Sequence, residues 1–137
     1  HRLKARASLR PDNPRQRLRH AIEVRHDSFR DPAFSALLRR HRIALVCADT
    51  VEWPLLMDLT ADFVYCRLHG SRELYRSGYG RREIARWADR VRAWRDGTFA
   101  GRPAALRPRD VFVYFDNTDK LMAPRDARVL MRLLQEG

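Results

Sequence analysis

The 137-residue chain is 45% hydrophobic and 33% charged, a balance that fits one globular domain and excludes a disordered tail. No apolar run approaches the ~20 residues that span a bilayer, and no apolar stretch follows His1-Arg2-Leu3-Lys4 to make a secretory signal. The 28 basic residues against 17 acidic ones give a net charge of +11, which suggests an anionic partner, with nucleic acid the first candidate.

Residues 1–19 read as a preceding helix or loop, and residues 20–137 as four repeated strand–crossover units of a single domain. Ala21-Ile22-Glu23-Val24-Arg25 alternates like a strand. Asp31-Pro32 then supplies an N-cap and a proline at the first helical position, and Phe34, Leu37, Leu38 and His41 continue at helical spacing, so a helix is expected over about 32–41. Ile43 to Ala48 is nearly continuous apolar sequence, the mark of a buried parallel strand. Thr50 to Asp62 is just long enough for a tight crossover, and Trp53-Pro54 breaks any long helix. Phe63 to Leu68 is a third strand, ended by His69-Gly70. A polar loop from Ser71 to Gly80 leads to the clearest helix, whose apolar face is Ile84, Trp87, Ala88, Val91 and Trp94. A Gly/Pro-containing loop over about 97–110 precedes the strand Val111 to Phe115. The last helix starts near Pro124 and is expected to bury Ala127, Leu130, Met131 and Leu134.

Strands separated by crossovers give a parallel sheet with right-handed connections, hence an α/β fold. Side-chain parity favours a (β/α)8 barrel over an open doubly wound sheet. Ile22 and Val24 alternate with Glu23 and Arg25; Val64, Cys66 and Leu68 alternate with Tyr65, Arg67 and His69; Val111, Val113 and Phe115 alternate with Phe112, Tyr114 and Asp116. One parity suits outer helices and the other a lumen with a polar mouth. Four units make half of the ~250 residues that such a barrel needs. The expectation is therefore the C-terminal half of a TIM-like barrel, with the first four units supplied upstream or by a partner chain that covers the sheet edges. The opening His1 in place of Met fits a processed or fragmentary product.

Several stretches resemble one known family. They are Ala21 to His26 with Ser28-Phe29, Ala48-Asp49-Thr50, Thr60 to Tyr65, Arg67-Leu68-His69-Gly70, Tyr75, Ser77-Gly78-Tyr79, Trp87, Val113 to Asn117, and Ala123-Pro124 with Ala127. Over about 20–135 the chain is similar to domain of unknown function 72, the YecE-like family, and the resemblance implies a TIM-like barrel of which this is the C-terminal half. Two features depart from the pattern: the family's N-terminal strands are absent, and Asp126 stands where Asn is expected. The family name implies a fold and a candidate site, not a reaction.

Function in barrels gathers at the C-terminal ends of the strands. Those ends carry Glu23, Arg25, Asp49, Arg67, His69, Asp116 and Asn117, while Tyr75 and Tyr79 lie on a following loop that suits a lid. Arg25 and Arg67 favour an anion held bidentately. With Glu23 or Asp116 as base and His69 as acid, the chemistry is that of a hydrolase or phosphodiesterase-type enzyme on an anionic substrate. A satisfied ion-pair network that merely holds the lumen together is the competing reading of the same charges. No metal is expected, because no close-set ligand pair occurs and two guanidinium groups repel a dication; at ~5 Å two unit charges interact by about 3 kcal/mol. No cofactor is implied.

Two further readings stay open. One is a nucleic-acid-binding barrel without catalysis, using the positive charge for phosphate contacts and Tyr75 and Tyr79 for stacking. The other is an inactive truncated remnant. All basic residues but Lys4 and Lys120 are arginines scattered along the chain, so a GC-rich coding sequence explains the charge more readily than a selected polyanion face. Cys47 and Cys66, the only cysteines, read as free core thiols of a cytoplasmic protein.

Overall fold

Apolar residues alternating along short segments, with helices between them, require a sheet covered on at least one face. The computed structural model, which describes residues 13, 15–70, 72, 74, 76–98, 107–117 and 119–136, has that arrangement. β1 (Ala21–Ile22) pairs with β2 (Ala44–Leu45), and β3 (Cys47–Asp49), β4 (Phe63–Leu68) and β5 (Asp110–Phe115) follow side by side in chain order. Every pairing is parallel. The helices are α1 (Pro32–His41), α2 (Arg81–Asp96) and α3 (Met122–Gln135). No described helix is long and apolar enough to cross a membrane.

Helix boundaries follow local chemistry. The Asp31 carboxylate accepts the Ala33 amide at 2.8 Å, and Pro32 sits where a missing N–H costs nothing. Glu83 reaches back to the Gly80 amide at the start of α2, and Gly97 ends that helix at φ 75°, the left-handed conformation glycine adopts without a Cβ penalty. The Ile84, Trp87, Ala88, Val91 and Trp94 stripe is buried as its spacing predicts. Against it pack Cys47, Val64, Cys66, Leu68 and Leu130, while Val24, Leu38, Leu45 and Leu56 form a smaller cluster under α1.

Four local expectations need correction. The first strand pairs only over Ala21–Ile22, since the run opposite it pairs with β1 over Ala44–Leu45 and from Cys47 on pairs with β4 instead. The 43–48 run divides into two strands at Val46, because the Thr60 hydroxyl intervenes: it accepts the Leu45 amide and donates to the Ile43 carbonyl, each at 2.7 Å. On α1, Leu37 is 51% exposed, while Ser35 and Leu38 face inward. On α3, Met131 is 59% exposed. The buried stripe runs Ala123, Asp126, Leu130, with Ala127, Leu133 and Leu134 half-buried, because adjacent residues on a helix point about 100° apart.

Candidate functional site

Parallel strands end together, so side chains of one parity near those ends meet on one face. The parity opposite the helices lines an open pocket of about 590 Å³, with Ala21, Phe63, Tyr65, Arg67, Phe112 and Tyr114 from the strands, Glu23, Val46 and Asp116 from just past strand ends, and Arg19 from the segment before them. Arg67 is its hinge. The Arg67 Nε donates to Asp116 Oδ2 and its Nη1 to Glu23 Oε2, both at 2.7 Å. Glu23 Oε1 takes a third bond, from Arg25 Nε, at 2.7 Å. Two carboxylates and two guanidinium groups thus form one near-neutral network.

His69 lies beneath this network, wholly buried, 3.8 Å from Glu23 Oε2 and 3.7 Å from Asp116 Oδ2. Burial and the adjacent Arg67 charge lower its pKa more than the two carboxylates raise it. The imidazole is therefore neutral at neutral pH and has no surface with which to meet a substrate. The expectation of His69 as an acid at the mouth is corrected in its placement: the side chain is buried beneath the network. Burial raises the Glu23 pKa, but hydrogen bonds from Arg67 and Arg25 and their charges outweigh it and hold the carboxyl below its usual range. The Glu23 and Asp116 carboxylates in turn keep Arg67 firmly protonated against its own desolvation.

The remaining predicted residues divide. Arg25 joins the network, its guanidinium stacked on the Trp53 ring at 4.3 Å. Asp49 does not join it: in β3 it has the helix-facing parity and accepts the Trp87 indole N–H at 3.1 Å. Tyr79 is no lid residue either. It is 6% exposed, its hydroxyl accepts the Gly70 amide at 3.1 Å, and burial pushes its pKa far up. Asn117 is wholly buried and donates to Asp126 Oδ2 at 2.9 Å. Tyr75 lies outside the described residues.

Residue-by-residue reading missed three aromatic groups. Tyr65 and Tyr114 stack at 4.9 Å and 20° beside the ion pairs, with Tyr114 47% exposed. Their inward parity, shared with Arg67 and Asp116, was the available signal. Trp53 meets His69 edge-on at 5.4 Å as well as carrying Arg25. No local pattern marks it, since both contacts come from tertiary packing. Among the described residues no group of three His, Cys, Asp or Glu side chains is placed to hold a metal ion. In the pocket, the position between the two carboxylates is taken by Arg67.

A family model described as a protein of unknown function, DUF72, matches residues 2–137. Two solved structures are similar. One is a DUF72 family protein of Thermotoga maritima MSB8, with TM-score 0.73 and 24% identity, covering 86% of this chain and 46% of that one. The other is a DUF72 family protein of Enterococcus faecalis V583, with TM-score 0.67 and 21% identity, covering 86% and 48%. The chain spans about half the length of these solved relatives. No curated protein matches it.

Proposed function

Because this chain belongs to the DUF72 family of proteins of unknown function, we propose that it forms the C-terminal half of a TIM-like barrel whose strand-end pocket hydrolyses an anionic, phosphodiester-class substrate. Support for the half-barrel comes from parallel strands placed in chain order, helices packed on one face, and a span of about half of each solved relative. The observation that carries the reaction is Arg67 clamped between Glu23 and Asp116 on the floor of an open pocket.

Clamping leaves Arg67 Nη2 as the edge that meets a substrate oxyanion, with charge-assisted hydrogen bonding. Glu23 is ionised and takes the proton of an attacking water; the water oxygen bonds to phosphorus, and the leaving oxygen departs with its bonding pair. Asp116 fixes the Arg67 fork, and His69 supports both carboxylates from below. Tyr65 and Tyr114 form the wall against which the organic part of the ester rests.

The test is turnover of bis(p-nitrophenyl) phosphate by the whole protein, with Glu23→Gln and Arg67→Ala beside it. Glu23→Gln should lower kcat by about 10²–10⁴-fold, the scale of a lost general base, and Arg67→Ala should chiefly raise KM. Absence of turnover, or Glu23→Gln equal to wild type, rejects the reaction. Turnover of a p-nitrophenyl glycoside instead would keep the carboxylates as catalysts and reject the phosphodiester.

A further inference from the structure

A buried carboxylate is an expensive choice for a helix that needs only an apolar face, unless its oxygens receive good hydrogen bonds. Asp126 is such a choice. It stands on the inner stripe of α3 at 2% exposure, with no ion-pair partner among the described residues. Its Oδ2 accepts two bonds instead, from the Tyr79 amide and from Asn117 Nδ2, both at 2.9 Å. Asn117 is itself wholly buried; its Nδ2 also donates to the Ser77 carbonyl at 3.2 Å, and its backbone carbonyl accepts the Ala123 amide at 3.1 Å.

These bonds join three segments that share no ladder: the approach to α2, the exit of β5 and the start of α3. The approach to α2 lies close against α3, since a Cβ added at Gly78 would stand 3.1 Å from Met122 Sδ and 3.5 Å from Asp126 Oδ2. Asn117 follows Asp116 directly. The Asp116 amide donates to the Leu68 carbonyl at 2.8 Å, and its carboxylate holds Arg67. Orienting the Asn117 amide therefore orients the peptide on which the Asp116 carboxylate is mounted.

We infer that Asp126 is a positioning residue: through Asn117 it sets the Asp116 carboxylate against Arg67 Nε. The inference concerns geometry and stands whether or not the pocket hydrolyses a phosphodiester. A merely structural Asp126 would change global stability and leave the Arg67 fork unchanged.

The distinguishing measurement is the hydrogen-exchange rate of Arg67 Nε–H, followed by ¹⁵N NMR and assigned by its disappearance in Arg67→Lys. Asp126→Leu keeps the branched heavy-atom skeleton but removes the acceptor; it should speed that exchange at least tenfold while β4 backbone amides keep their protection. Asp126→Asn keeps one acceptor oxygen and should stay within about twofold of wild type, the rescue expected of a positioning role. Asn117→Ala, which leaves the Tyr79–Asp126 bond in place, should speed exchange as Asp126→Leu does, and it decides the matter should Asp126→Leu fail to fold. Unchanged Arg67 Nε–H exchange in a folded Asp126→Leu or Asn117→Ala protein overturns the inference.

Discussion

Arg67 holds two carboxylates at once, so truncating it leaves both Glu23 and Asp116 without their main counter-charge. Arg67→Ala should cost about 2–3 kcal/mol in urea unfolding, less than a fully buried pair because the Arg67 side chain is 30% exposed. Two groups of the site make stability depend on acid. The lowered pKa of His69 means the unfolded chain binds the extra proton first, so stability falls as pH drops below about 6.5, the unperturbed histidine value. The lowered Glu23 pKa adds a second loss as pH falls through about 4.3 and below, toward the folded value. Unfolding free energy measured from pH 8 to pH 3 should show both phases; His69→Gln should remove the upper one and Glu23→Gln should shrink the lower. At this scale the charged members of the site were legible from residue type and parity. Asp49, Tyr79 and Asn117 were not, because a residue at a strand end is equally able to cap the neighbouring core, and only packing decides between the two.

Thr60 is the element-scale counterpart. Its hydroxyl does the work of a neighbouring strand for the break between β2 and β3. Thr60→Val keeps the shape but leaves the buried Leu45 N–H and the Ile43 carbonyl unbonded, a cost of about 1–3 kcal/mol by chemical denaturation. On α3, Leu130→Ala should cost about 2–4 kcal/mol and Met131→Lys less than about 0.5 kcal/mol, since one side chain is buried and the other points to solvent. Elements with strong periodicity or caps, α2 and α1 above all, were readable from spacing alone. The split strand was not, because a continuous apolar run carries no sign that a threonine 15 residues away will interrupt the ladder.

For the whole molecule, net charge and strand order decide the behaviour. With a net charge of +11, self-repulsion opposes the compact state. Raising ionic strength from about 10 mM to 150 mM shortens the screening length from about 30 Å to 8 Å and should raise Tm, as differential scanning calorimetry would show. The alternation of polar and apolar parities foretold which face the helices cover. It did not foretell the stacked tyrosines on the other face, because aromatic rings fit both a core and a pocket wall.

The most direct test of a single charged site gathered from distant strands is a double-mutant cycle between Glu23 and Arg67, which are 44 residues apart. Unfolding free energies of Glu23→Gln, Arg67→Ala and the double variant should give a coupling above about 1 kcal/mol. Additivity within about 0.3–0.5 kcal/mol would contradict it.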